Sequence, residues 1–161
     1  MNCERCDSPL DEGVVLVSSK VHWHDKPTFF LEPRPAFPSA TMGRSEYYAF
    51  PIPLPAERCR GCGWVFSKAS SPCATHDRET GFIFPFATVR WWSGAGAFQP
   101  SVWFAVNGKD AAGAECETLL KRGLVLSVVD TRAEASRCKG CGSVAFLSER
   151  EEARVQVAAA S

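Results

Sequence analysis

The sequence predicts a small, mainly β protein built from two tandem modules, with a helix inserted in the second. Glycine and proline punctuate the 161 residues closely, and the apolar stretches between them are short. Short apolar segments bounded by such residues are typical of strands. Two modules of this length would each be near the size at which a hydrophobic core alone is marginal, so disulfides or a metal are expected to stabilise them.

An internal repeat supports the two-module interpretation. Each half opens with two ligand-type residues, continues with a glycine, an apolar stretch and a segment ending in tryptophan, and closes with Arg-Cys-x-Gly-Cys-Gly. The matched positions are 3 and 6, 13, 14–17, 20–23 and 58–63 in the first half, and 73 and 76, 81, 82–84, 88–91 and 137–142 in the second. The predicted modules are residues 1–70 and 71–147, joined by a small-residue and proline linker at 68–72.

Strands are predicted for the apolar segments of both modules. In chain order they are residues 14–17, 21–23, 29–31, 47–50, 82–86, 89–92, 102–106 and 124–129, and apolar residues also follow both closing motifs, at 64–66 and 144–146. The prolines of residues 33–38 and 51–55 predict polyproline-like stretches, which serve either as stiff connections or as segments that dock into a partner.

Residues 110–123 predict the inserted helix. Asp110 suits its N-cap, Lys121 and Arg122 suit its last turn, and Gly123 suits the position after its end. Residues 148–161 predict either a frayed tail or a short terminal helix.

The paired cysteines predict two structural metal sites. Two cysteines separated by two residues can reach one ion, and a glycine within or after the turn lets the backbone curl around it. A structural zinc ion takes four tetrahedral ligands, with thiolates and imidazoles as donors. The predicted ligands are Cys3, Cys6, Cys59 and Cys62 for one zinc ion, and Cys73, His76, Cys138 and Cys141 for the other.

Two alternatives to this ligand assignment stay open. The opening and closing pairs are farther apart than the roughly 15–20 residues usual in zinc sites, so Cys59 and Cys62 could instead join Cys73 and His76. The chain ends would then share the other ion. Disulfides or thioredoxin-type redox pairs are the second alternative, but strand-like residues follow the closing pairs where a redox motif requires a helix.

The pattern resembles a small bacterial zinc-ribbon domain family of unknown function, present twice. The matching residues are Cys3, Cys6, Leu10, Gly13, Val21, Trp23, Arg58, Cys59 and Cys62 in the first copy, and Cys73, His76, Gly81, Val89, Trp91, Arg137, Cys138 and Cys141 in the second. The resemblance implies zinc and a compact β fold, and it supplies no activity. The second copy departs from the family pattern at His76 and in its long insertion.

Charge and targeting signals limit the function classes. Basic and acidic residues balance at 18 each, which makes nucleic acid an unlikely partner. No signal peptide or apolar stretch long enough to span a bilayer is present, so a cytoplasmic location and no membrane association are expected. Exposed sheet edges would permit self-association into a homo-oligomer.

The expected function is that of a zinc-binding structural or protein-interaction module without catalytic residues. Both sites have four protein ligands, whereas a catalytic zinc keeps one position open. The rival hypotheses are a nucleic-acid-associated zinc ribbon and a zinc-handling or thiol-redox protein, with a hydrolase last.

A few other residues invite a functional interpretation. His22 and His24 would share one face of a strand, but the repeat places Arg90 and Trp92 there, so a solvated strand face is favoured over a metal pair. Cys116 is expected to be a small buried side chain rather than a reactive thiol. The tryptophans are expected to be core residues, with an exposed aromatic patch as the alternative.

Overall fold

A computed structural model describes residues 1–17, 21–26, 34–36, 52–68, 73, 77–86, 88–93, 108–109, 115–121 and 132–149. These residues form one antiparallel sheet and no helix, which confirms the mainly β prediction. The strands are β1 (Leu10–Val17), β2 (Val21–His24), β3 (Arg34–Pro35), β4 (Ile52–Cys59), β5 (Trp64–Ser67), β6 (Arg78–Pro85), β7 (Val89–Trp92), β8 (Gly108–Lys109), β9 (Glu115–Leu120), β10 (Ala133–Cys138) and β11 (Val144–Leu147).

The strand order is palindromic, meaning that strands at matched positions of the sequence repeat lie at equal distances from the centre of the sheet. It reads β3-β2-β6-β10-β11-β5-β4-β1-β7-β9-β8. Outward from the central β5–β11 pair, one side runs β5, β4, β1, β7 and the other runs β11, β10, β6, β2. Because β7 lies in residues 71–147 and β2 in residues 1–70, each side of the sheet includes a strand from the other predicted module, an arrangement called strand exchange below.

The register of the strands repeats as well. The first residue of β1 lies opposite Cys59, and the first residue of β6 lies opposite Cys138. The exchanged strands place Trp91 and Trp23 opposite equivalent positions of β1 and β6. The two halves of the sheet therefore share the same strand order and register, and residues 1–70 and 71–147 each contribute two separate blocks of neighbouring strands.

One buried cluster gathers side chains from both copies, so the open sheet curls around a shared core. Its largest members are Trp23, Trp91 and Phe146. Trp64 and Trp92 are also buried. The expectation of core tryptophans is thus confirmed at these four positions, and Trp103 lies outside the described residues.

The predicted helix over 110–123 is wrong where the structure describes it, because residues 115–120 form strand β9. This strand pairs with β7. Glu115 and Glu117, two residues apart on one face of the strand, both form ion pairs with Arg58. Pairing and ion pairs of this kind override a weak helical preference.

The prediction of a polyproline-like stretch at 51–55 is also wrong over its described part, since Ile52–Cys59 is strand β4. Pro53 and Pro55 lie opposite residues of β1. Among the described residues, β5 pairs with residues 56–58 of β4, and on that side Pro55 only accepts, at its carbonyl, from Lys68 N–H at 2.7 Å. A missing N–H is tolerated there.

The predicted strands at 14–17, 21–23, 64–66, 89–92 and 144–146 are confirmed, and the one at 82–86 is confirmed as far as Pro85. Those at 29–31, 47–50, 102–106 and 124–129 lie outside the described residues, as does nearly all of the tail. Within the described ranges, no helix has the length and apolar character needed to cross a bilayer.

Candidate metal centres

The first metal centre, site 1, is formed by Cys3, Cys6, Cys59 and Cys62. Their four Sγ atoms all lie within 4.8 Å of one another. The first two cysteines precede β1, and the last two lie at the end of β4 and in the turn to β5. The register of β1 against β4 brings these turns together, although about fifty residues of chain separate them.

Backbone hydrogen bonds shape both turns of site 1. Asp7 N–H donates to the carbonyl of Cys3 at 2.8 Å, and Gly63 N–H donates to that of Cys59 at 2.9 Å. Gly63 has a φ of 80°, a conformation that favours glycine. Cys62 N–H points at the Cys59 sulfur, 3.4 Å away. Amides directed at sulfur stabilise a thiolate, so the turn is suited to hold a metal ligand.

The sulfur spacing of site 1 fits a tetrahedral zinc ion. Sulfurs about 2.3 Å from a zinc ion lie roughly 3.8 Å apart. The Sγ atoms of Cys3 and Cys62 are 3.6 Å apart, and those of Cys6 and Cys59 are 3.3 Å apart. A disulfide would need about 2.05 Å, so the four cysteines are thiols at metal-ligand spacing.

The second metal centre, site 2, brings together Cys73, Cys138 and Cys141. The Sγ atoms of Cys73 and Cys138 are 3.5 Å apart. The closing turn repeats that of site 1, since Gly142 N–H donates to the carbonyl of Cys138 at 2.9 Å and Gly142 has a φ of 70°. The fourth predicted ligand, His76, lies outside the described residues.

The structure groups the cysteines as the repeat does. Cys59 and Cys62 lie with Cys3 and Cys6, and Cys73 lies with Cys138 and Cys141. The alternative that placed Cys59 and Cys62 beside Cys73 does not match this arrangement.

Two serines that the sequence analysis missed lower the pKa of neighbouring cysteine thiols. Hydrogen bonds from the Ser8 hydroxyl and the Ser8 backbone lower the pKa of Cys6 to about 6. The hydroxyl and backbone of Ser143 lower the pKa of Cys141 to about 6 in the same way. Burial, together with the neighbouring thiols, raises the pKa of Cys62 to about 12. The two serines occupy different places in the repeat, so alignment of the copies could not reveal them.

These pKa values predict proton release when zinc binds. At pH 7 the metal-free Cys62 thiol is protonated and must lose its proton, whereas Cys6, with a pKa of about 6, is already mostly thiolate. Zinc binding at site 1 should therefore release at least one proton at pH 7. Zinc affinity should already fall with decreasing pH near neutrality, because Cys62 must lose its proton, and should fall more steeply below about pH 6, where Cys6 is protonated as well. Calorimetry in buffers of different ionisation enthalpy measures the protons. Binding with no proton release at pH 7 would contradict this assignment.

A methyl group at Gly61 should weaken site 1. An added Cβ would lie 2.3 Å from Ser8 Oγ, 2.9 Å from Ser8 Cβ and 3.1 Å from Cys6 Sγ. The opening turn must shift to admit it, so Gly61→Ala should reduce zinc affinity about 10-fold or more, as disturbed ligand surroundings usually do. Competition with a chelator measures this. Glu4→Ala, an exposed change in the opening turn, should leave the affinity unchanged.

Each closing motif also carries a contact between an arginine and a buried tryptophan ring. The Arg58 guanidinium lies 4.7 Å from the Trp91 ring centroid, and that of Arg137 lies 4.9 Å from the Trp23 ring centroid. In both contacts the tryptophan belongs to the other copy. The sequence signalled these residues, because both arginines and both tryptophans recur in the repeat, but the contact itself was not predicted.

The remaining candidates are not metal ligands in the described structure. His24 Nδ1 accepts a hydrogen bond from Lys26 N–H at 3.0 Å. Burial lowers the pKa of His22, whose ring lies edge-on to Phe86. Among the described residues, neither histidine belongs to a group that could hold a metal. Cys116 is 2% exposed and lies in an apolar cluster, as expected for a small core side chain.

No protein-family model, curated protein or solved structure matches this chain. The assignment of the metal centres therefore depends on their own geometry.

Proposed function

We propose that this chain is a zinc-binding structural protein, with one zinc ion at each cysteine centre and no catalytic role. The observation that carries the proposal is site 1, where four thiols lie within 4.8 Å of one another. Four cysteine ligands fill the tetrahedral positions of zinc and leave none for a substrate, which is the arrangement of structural zinc sites. Soft thiolates also favour zinc over magnesium or calcium.

At site 2 we assign His76 as the fourth ligand beside Cys73, Cys138 and Cys141. This assignment rests on the repeat, in which His76 stands at the position of Cys6. The palindromic sheet and the repeated register support the proposal that the two halves are duplicated copies of a zinc-ribbon-like module. Eight thiols without a disulfide agree with a reducing compartment such as the cytoplasm.

Native mass spectrometry with elemental analysis tests the metal assignment. The full chain, purified without added metal, should carry two zinc ions. His76→Ala should weaken one of them, while His22→Ala and His24→Ala should leave both in place. A chain that carries no zinc and takes up none when reduced would refute the proposal.

We also propose that this scaffold binds a protein partner, and that charge rather than an apolar patch directs the contact. Among the described residues, Met1 is the one exposed large apolar side chain, and the others are buried or half-buried. Beside site 1 lies an open cleft of about 460 Å³. Its charged lining residues are Asp11, Glu12, Arg60 and Glu115. A partner that co-purifies should rebind the purified chain and lose affinity with added salt. A chain that stays alone through gentle, low-salt purification would contradict partner binding.

One observation favours a second candidate, a zinc-handling or thiol-redox protein. Cys6 is exposed, and its pKa is lowered to about 6, which gives a reactive thiolate at neutral pH when metal is absent. Zinc exchange decides between the candidates. A handling protein should release zinc to a competing chelator within minutes, and a structural site should hold it for hours.

A further inference from the structure

We propose that the two metal sites are energetically coupled, so that a zinc ion bound at either site raises the zinc affinity of the other. This inference rests on the proposed zinc binding and goes beyond it. Two tethered but independent modules would bind two zinc ions without influencing one another. The described contacts instead make each site depend on a strand from the other copy of the repeat.

The first link runs from site 1 into the second copy. Arg58 directly precedes the ligand Cys59, is 6% exposed, and lies over the Trp91 ring. That ring also packs against Gly13 of β1, where an added Cβ would lie 2.3 Å from Trp91 Cζ2. The arginine next to a site 1 ligand therefore holds strand β7, which belongs to the second copy.

The equivalent link runs from site 2 into the first copy. Arg137 directly precedes the ligand Cys138 and lies over the Trp23 ring. Trp23 packs against Gly81 of β6, where an added Cβ would lie 2.6 Å from Trp23 Cζ2. Strand β2 of the first copy is thus held by residues adjacent to site 2.

A third set of contacts joins the closing turns more directly. Gly63, in the closing turn of site 1, accepts hydrogen bonds at its carbonyl from the N–H of Ser148, at 3.0 Å, and from its hydroxyl, at 2.7 Å. Val144, just beyond the closing turn of site 2, donates its N–H to Ser67 Oγ at 2.8 Å. Strands β5 and β11, which follow the two turns, also pair with each other.

These contacts explain why metal at one site should affect the other. Zinc fixes a closing turn, and with it the adjacent arginine and the start of β5 or β11. Loss of zinc frees the turn and loosens the exchanged strand, which pairs directly with the sheet of the other copy. A shared two-state element of this kind typically couples two sites by a factor of 5 to 150 in affinity, roughly.

Two single-site variants of the full chain measure the coupling factor. Cys6→Ser with Cys62→Ser removes site 1, and Cys73→Ser with Cys141→Ser removes site 2. All four residues are exposed or half-buried, so their replacement spares the buried ligands Cys59 and Cys138 and their neighbouring arginines. The overall two-zinc association constant of the unmodified chain, divided by the product of the two single-site constants, is the coupling factor. We expect at least about 5, and a factor near 1 would overturn the proposal.

Substitution of the two arginines tests whether the Arg–Trp contacts carry the coupling between the metal sites. In a chain with Arg58→Gln and Arg137→Gln, with the single-site variants made in that same substituted chain, the coupling factor should fall at least about three-fold. An unchanged factor would overturn the Arg–Trp link.

A measurement on the unmodified chain supplements the variants. When half of the metal sites are filled, about 50% one-zinc chains is the lowest fraction that two uncoupled sites can give, so a lower fraction would support the coupling whatever the variants do. We expect native mass spectrometry to find fewer one-zinc chains than the two single-site constants give without coupling, and a fraction equal to that uncoupled value would overturn the coupling. Failure to bind zinc at all would instead refute the proposed function.

Discussion

Replacement of Cys59 by serine should cost the chain the zinc ion at site 1 and most of its stability. Cys59 is 1% exposed and its sulfur lies 3.3 Å from that of Cys6. Structural zinc ions contribute on the order of 10 kcal/mol to the folded state of small zinc-dependent domains. The whole stability of a typical domain is only about 5–15 kcal/mol. We therefore expect Cys59→Ser to destabilise the fold by at least about 5 kcal/mol.

Zinc content and denaturant unfolding together measure this effect. Cys116→Ala provides the matched control, because Cys116 is equally buried but lies among Leu16 and Trp92, away from both metal centres. The control should keep two zinc ions and lose only about 1 kcal/mol for its missing sulfur. A Cys59→Ser chain that retains two zinc ions, or a Cys116→Ala chain that loses one, would show that the ligands are wrongly assigned.

The seven cysteines that group at the two candidate metal centres could be predicted from the sequence because the spacing within each pair is local. Two cysteines separated by two residues reach one ion whatever the rest of the fold does, and Gly63 and Gly142 mark where the closing turns bend. The grouping of the cysteines followed from the repeat. The supporting residues Ser8 and Ser143 each lie two residues after the second cysteine of a Cys-x-x-Cys pair, a shared spacing that the sequence analysis did not use.

The exchange of strands between the copies could not be predicted either, for a symmetry reason. Trp23 and Trp91 are equivalent in the repeat, and so are the glycines that they contact. A tryptophan packed on its own copy and one packed on the other copy make the same local contacts. The sequence pattern is therefore the same whether each copy keeps its own second strand or exchanges it with the other copy. Only the strand pairing distinguishes the two arrangements.

The error over residues 110–123 has a related cause. Capping residues such as Asp110 and Gly123 report local preference, whereas β9 is held by pairing with a strand far away in the sequence. Glu115 and Glu117 of this segment pair with Arg58, more than fifty residues earlier in the chain. Long-range contacts of this kind leave no periodic signature in so short a segment.

Replacement of Gly81 by alanine should be the most damaging single methyl group added to the sheet. The new Cβ would lie 2.6 Å from the backbone oxygen of His24 and 2.6 Å from Trp23 Cζ2. A backbone oxygen cannot turn away as a side chain can, so strand β2 must move away from β6. Overpacking of this kind costs about 3 kcal/mol. For a chain of this size, that lowers the melting temperature by roughly 6–12 °C.

Thermal unfolding of Gly81→Ala measures the loss, with Thr80→Ala as the control because Thr80 is the exposed neighbour on the same strand.

The equivalent substitution, Gly13→Ala, separates the clash with the tryptophan ring from the clash with the backbone oxygen. Around Gly13, the three nearest atoms to an added Cβ all belong to the Trp91 ring. Trp91→Phe shortens that ring, so it should relieve a large part of the Gly13→Ala penalty in a double-mutant cycle. Trp23→Phe should relieve Gly81→Ala less, because the His24 oxygen remains in place. Equal relief in both cycles would mean that the backbone of β2 is not held against β6.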